Sequence, residues 1–168
     1  MIHEPIALRK MMVAAAISAF AVFVPIVASA APHAGDVAPA FSLPKATGGT
    51  LSLAQYRGKP TYLNFFASWC GPCNNEAATV AQLYGKYHRH GLATIGVNEQ
   101  EDKTKALGFA HKYKWPFAIG LDDGTMGKDY GAIGLPIHVF IDKAGKVSTY
   151  RIGEMERADV EDAIKKIL

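Results

Sequence analysis

Two cysteines stand in this chain, Cys70 and Cys73, with Gly71 and Pro72 between them. Thiols at that spacing can serve as a structural bridge, a metal clip or a reversible dithiol–disulfide couple. As a bridge the pair is poor, because closing so short a loop removes little entropy from the unfolded chain. Secreted chains stapled by disulfides usually carry several, at wider separations. As a metal clip it lacks a second Cys-x-x-Cys pair. A copper or zinc site built on Cys70 and Cys73 would have to recruit a histidine such as His138. A c-type haem would require His directly after Cys73, where Asn74 stands. The redox couple remains the strongest use.

A redox couple requires one sulfur that ionises readily, and the flanking pattern provides a place for it. Thr61 to Ala67 is a short apolar run rich in aromatic residues, which predicts a buried strand. From the cysteines onward the period changes. Cys73, Ala77, Val80, Leu83, Tyr84 and Tyr87 recur at three- and four-residue steps, an amphipathic helix that Gly91 stops. Cys70 is therefore predicted at a helix N-terminus, where unpaired N–H groups and the helix dipole favour negative charge. Thiolate is the attacking form. Cys73 lies almost a turn deeper and is expected to be more buried. Cys70 would attack a partner's disulfide, and Cys73 would resolve the mixed disulfide. Pro72 is tolerated because no intrahelical bond needs its missing N–H.

The rest of the chain supplies a scaffold for one domain. Phe41–Leu43 and Leu51–Leu53 alternate around Gly48-Gly49, a hairpin signal. Leu92–Val97, Phe117–Leu121 and Ile137–Ile141 read as strands, with Val147–Ile152 the antiparallel partner of the last across a turn at Asp142–Gly145. Helices are expected over Thr104–Tyr113, with Ala106, Leu107, Ala110 and Tyr113 inward, over Met126–Tyr130, and from Glu156 to the end. This order argues an α/β fold with a central mixed sheet flanked by helices.

Apolar content of 49% and charged content of 20% fit a globular core. The net charge of +3 comes without a Lys/Arg cluster, so nucleic acid is not an expected partner. Arg9 and Lys10 precede an almost unbroken apolar run, Met11 to Val27, which ends at Ala28-Ser29-Ala30. Residues 1–30 thus read as a cleaved signal peptide or a retained membrane anchor. Either places residues 31–168 outside the cytoplasm. His88, His90 and His111 are expected on the surface, and Trp115-Pro116 as loop packing.

The segment Trp69-Cys70-Gly71-Pro72-Cys73 resembles the thioredoxin active site. "APAFSLP", "GKPTYLNFFASWCGPCNNE" and "GLPIHVFIDKAGKV", in that order, are similar to the TlpA/ResA-like branch of extracytoplasmic thiol-disulfide oxidoreductases. The resemblance covers about residues 36 to 168. It implies a thioredoxin fold with an added N-terminal β-hairpin and a mid-chain insertion around residues 100 to 120. It implies that Pro136 is cis and that Leu135 offers its backbone to partner polypeptides, with Ile137 beside it.

Asn64 stands where cytoplasmic thioredoxins carry a buried Asp, and an Asn cannot shuttle a proton. The branch instead has a Glu three residues after the second cysteine, here Glu76. Glu76 would accept the Cys73 proton or raise that thiol by like-charge repulsion. The alternative is a first-turn carboxylate on a solvated helix face. Ile137-His138 departs from the Thr or Glu usual after the cis proline, and strand alternation lets at most one of the two look at the site. Peroxidase chemistry on a related fold needs a lone Cys attended by Thr and Arg, which this pair does not match.

Gly71-Pro72 is the thioredoxin-type pair and implies a reducing direction. The resemblance implies no cofactor and a monomer. It also implies a membrane electron donor for re-reduction. The implied substrates are disulfides of specific partner proteins, of the cytochrome c maturation or copper-site assembly type. Oxidative folding by an oxidase or isomerase is the alternative direction.

Overall fold

The computed structural model describes Met1 and residues 31–168. The predicted signal or anchor, residues 2–30, lies outside the described residues. Among the described residues no helix is long and apolar enough to cross a membrane.

The core is a five-stranded mixed sheet. Its strands are β3 (Thr61–Phe66), β4 (Ala93–Glu99), β5 (Ala118–Asp122), β6 (Ile137–Ile141) and β7 (Val147–Ile152), in the spatial order β5-β4-β3-β6-β7. β3, β4 and β5 run parallel, while β6 is antiparallel to both β3 and β7. A separate hairpin of β1 (Ser42–Pro44) and β2 (Thr50–Ser52) pairs Leu43 with Leu51. It docks on the β5 edge through the Ala46 N–H to Ile119 carbonyl bond of 2.9 Å, covering backbone groups that an open edge would expose. Leu53, expected at a strand end, instead opens a 3-10 turn, Leu53–Tyr56, held by a capping box between Ser52 and Gln55.

Side chains alternate across the sheet, so each central strand feeds two cores. Leu63, Phe65, Ile95, Val97, Ile137 and Val139 pack on one face with the hairpin and with Met126 of the short helix α3 (Thr125–Asp129). Tyr62, Phe66 and Phe140 pack on the other, beneath α1 (Gly71–Tyr87), α2 (Lys103–Lys112) and α4 (Arg157–Ile167). Helix α1 buries Cys73, Glu76, Ala77, Val80, Leu83 and Tyr87. Each large aliphatic residue so buried contributes about 1.5–3 kcal/mol, which fixes the rotation of the helix and with it the cysteines. Gly91, at φ 95, ends the following turn, a conformation that glycine adopts without steric cost.

Helix α2 turns a different set inward than its apolar spacing suggested. Ala106, Phe109 and Ala110 are buried, while Leu107 and Tyr113 only flank the core. Phe109 is drawn in by aromatic neighbours, with Phe66 at 4.6 Å and Trp115 at 5.1 Å between ring centroids. That cluster also explains Gly96: a Cβ there would lie 2.7 Å from Ile119 and 3.0 Å from Trp115. Trp115 is a buried anchor, donating its indole N–H to the Ala77 carbonyl of α1 at 2.8 Å. His88, His90 and His111 are exposed.

Candidate active site

Strand β3 ends at Phe66, and four residues later Cys70 caps α1. Cys70 and Cys73 form a disulfide, S–S 2.04 Å. The Cys70 sulfur also accepts the Cys73 backbone N–H at 3.2 Å, the geometry of a helix N-cap with Pro72 in the first turn. A helix N-terminus at this sulfur would favour thiolate once the disulfide is reduced. Both cysteines are buried, and Cys73 is only marginally the deeper. Gly71 and Pro72 are exposed, and Trp69 is 72% exposed.

Two sets of contacts, one centred on the Glu101 carboxylate and one on the Asn74 amide, hold this junction in place. The Ser68 N–H and hydroxyl both donate to Glu101, at 2.7 and 2.6 Å, and Asn98 donates to the same carboxylate at 2.9 Å. Burial alone would raise the Glu101 carboxyl, but the Ser68 and Asn98 hydrogen bonds bring it below its ordinary value. Asn74 ties the first turn of α1 to the loop, donating to the Ser68 and Cys70 carbonyls at 3.0 and 2.8 Å. Its own oxygen accepts from Tyr113 and Lys112 at the end of α2. Neither Glu101 nor Asn74 stood out in the sequence, where one belongs to an ordinary charge run and the other to an Asn pair.

From Glu76, three residues after Cys73 on α1, a closed polar cluster extends into the sheet. Glu76 is only 5% exposed, so the solvated-face alternative does not hold. Its Oε1 accepts from Asn64 at 3.1 Å and its Oε2 from the Met155 N–H at 3.3 Å. Asn64 also donates to the Tyr62 hydroxyl at 3.1 Å. Tyr62 and Asn64 share one face of β3, and the register sets Asn64 directly opposite His138 on β6. His138 is fully buried, with Nδ1 2.8 Å from the Tyr62 hydroxyl and Nε2 3.3 Å from Glu76 Oε2. That last approach has ion-pair distance without hydrogen-bond alignment. Burial and then the Glu76 charge hold the Tyr62 hydroxyl well above its ordinary range, outweighing the Asn64 hydrogen bond that lowers it. The sequence pattern missed His138 as a member of this cluster. The alternation rule allowed it, but only strand register brings it there.

Leu135–Pro136 is the one cis peptide bond among the described residues. Leu135 is half-buried and borders a cleft of about 250 Å³ with Trp69, Glu99, Gln100, Ala132 and Gly134. Ile137 requires a correction. Its side chain is 0% exposed and packed in the second core with Phe65 and Val139. It faces away from α1 and cannot offer that side chain to a partner. Glu99 is nearly buried beside Asp122, and burial, then the Asp122 charge and hydrogen bond, push its carboxyl up to about 8.

The AhpC/TSA family matches residues 34–150. The chain is 34% identical over 134 residues to thiol-disulfide oxidoreductase ResA of Bacillus thuringiensis, covering 79% of this chain and 78% of that one. The chain belongs to this family of thioredoxin-fold thiol-disulfide oxidoreductases. Among solved structures, a Chlorobium tepidum chain described as thiol:disulfide interchange protein DsbE superposes with a TM-score of 0.76 at 31% identity. That match covers 82% of this chain and 99% of the other. A secreted Mycobacterium tuberculosis disulfide oxidoreductase homologous to E. coli DsbE matches at 25% identity and TM-score 0.68, over 75% and 95% of the two chains. As a family member the protein is a thiol-disulfide oxidoreductase, and Cys70-Gly71-Pro72-Cys73 is its Cys-x-x-Cys pair.

Proposed function

We propose that the protein is an extracytoplasmic dithiol reductase acting on disulfides of specific partner proteins. Cys70 is the attacking sulfur and Cys73 the resolving one. Glu76 takes the Cys73 proton as that thiol is engaged. Asn64 orients Glu76, while Trp69, Gly71 and Pro72 shape the rim around the disulfide. Leu135 and the cis Pro136 present the backbone that a partner polypeptide docks against. A single observation carries the reading: a buried carboxylate, Glu76, sits about one helical turn beyond Cys73 on the helix that the Cys70–Cys73 disulfide opens.

In the reducing direction two electrons leave the dithiol for the partner's disulfide, and the pair is restored by a membrane-bound dithiol donor. Residues 1–30 act as export signal or anchor. A periplasmic or otherwise extracytoplasmic location is supported by that pattern and by the relative described as secreted. The substrates are partner cysteines of cytochrome c maturation or copper-site assembly, and the protein works as a monomer.

The reduction potential tests the direction. A value near thioredoxin's, about −270 mV, is expected, whereas one near about −120 mV assigns the protein to oxidative folding instead. A Cys73→Ser variant is expected to accumulate a mixed disulfide on Cys70 with its partner. Recovery of that adduct identifies the substrate class.

A further inference from the structure

His138 is fully buried, titratable and unused by the reaction as described above. Its neighbours fix how it carries its proton. The Asn64 amide nitrogen can only donate, and its two hydrogens go to Glu76 Oε1 and to the Tyr62 oxygen, both at 3.1 Å. Reversing that amide would set an oxygen against Glu76, so this orientation follows from the carboxylate. Tyr62, having accepted from Asn64, has one hydrogen of its own, and the partner at 2.8 Å is His138 Nδ1. Asn64 lies on the same nitrogen at 3.4 Å. With Nδ1 accepting, the imidazole proton sits on Nε2, and Nε2 lies 3.3 Å from Glu76 Oε2. Nε2 is buried and makes no hydrogen bond, so the Glu76 carboxylate is the charged group it faces.

We propose that His138 is a positioning residue for Glu76. Its Nε2–H faces the carboxylate that receives the Cys73 proton at ion-pair distance, out of line for a hydrogen bond, and through Nδ1 it is itself held by Tyr62. This rests on the reading that Glu76 handles that proton. In the resolving step the Cys73 S–H proton passes to Glu76 and the Cys73 sulfur bonds to Cys70. The Cys70–partner bond breaks, and the electron pair leaves on the partner's sulfur. His138 gains and loses nothing in this step. It keeps the Glu76 carboxylate in place as the proton acceptor.

Every element packed on the cluster has its polar groups accounted for. Cys70, Cys73 and Glu76 come from α1, Tyr62 and Asn64 from β3, and His138 from β6. The Met155 N–H comes from the segment after β7. Arg151 of β7 is His138's cross-strand neighbour but is exposed, and the nearby Glu154 is exposed and accepts from Asn75. Helix α4 contributes Val160 and Ile164, which are apolar.

Two measurements test the assignment. In the reduced wild-type protein, nitrogen-15 spectra of the imidazole are expected to show a bare Nδ1 and a protonated Nε2. The opposite tautomer overturns the proposal. The second measurement is the pH dependence of insulin disulfide reduction by wild type, Glu76→Gln, His138→Asn and His138→Gln. Asparagine can replace Nδ1 but has nothing at Nε2, while glutamine carries an amide N–H to that position.

His138→Asn is expected to slow reduction about tenfold on the acidic side of the profile and to converge on wild type at high pH. His138→Gln is expected to restore most of that loss. A folded His138→Asn variant whose profile superposes on wild type overturns the proposal. If Glu76→Gln loses the acidic limb while His138→Asn keeps it, only the His138 role fails. If Glu76→Gln keeps it, the Glu76 reading falls as well. Should His138→Asn not fold, Tyr62→Phe frees Nδ1 and is expected to shift the limb in the same direction. An unmoved limb in that variant then overturns the proposal.

Discussion

Asn64 and Glu76 are joined by a buried hydrogen bond of 3.1 Å from the central strand to the active-site helix. The bond explains why an amide occupies the strand position: its N–H faces a carboxylate. In Asn64→Asp two carboxylates meet, and one must hold a proton. That variant is expected to lose about 1–3 kcal/mol of stability near neutral pH and to regain much of it in mild acid, where one proton is shared. Disulfide reduction is expected to fall about tenfold or more on the acidic side of its profile. Urea unfolding at two pH values together with the rate profile checks both parts, and an unchanged profile would show that the two groups are not coupled.

Glu101 grips Ser68 two residues before Cys70. Glu101→Ala leaves the Ser68 N–H and hydroxyl and the Asn98 amide without their acceptor, which is expected to cost about 1–3 kcal/mol. The turnover number is expected to drop as the loop before Cys70 loosens. Because the Glu101 carboxyl is held below its ordinary value of 4.5, its contribution is in place above that pH. It disappears as pH falls through the lowered value. Chemical denaturation between pH 3 and 7 should therefore show wild type and variant converging in acid.

Glu99 behaves in the opposite sense. Its carboxyl is raised from 4.5 to about 8, so between those values the folded state holds a proton that the unfolded state has released. Stability from this group therefore falls as pH rises through that window. Glu99→Gln removes the penalty and puts an amide N–H where the protonated carboxyl offers its O–H to Asp122. The variant is expected to be more stable than wild type near pH 8, by about 1–2 kcal/mol after allowing for solvent at the cleft. Near pH 4 the two should be equal. Thermal unfolding across pH measures the difference, and a constant offset at all pH values would contradict the raised carboxyl.

The sequence alone determined the local chemistry. Cys70-Gly71-Pro72-Cys73 follows an apolar strand and opens an amphipathic helix, and local spacing is enough to place a sulfur at a helix N-terminus. The α/β order and the hairpin were legible for the same reason, since apolar periods of two and three to four residues report which face each element buries. Tertiary structure decided what surrounds Glu76. Pairing Asn64 with His138 depends on strand register between residues far apart in the chain. Glu101 reaches Ser68 only because β4 lies parallel to β3. Ile137 and His138 differ by one step of alternation. That step buries Ile137 in the far core and sends His138 to Glu76, because the side chains of a strand alternate while only the assembled sheet says which face carries the cysteines.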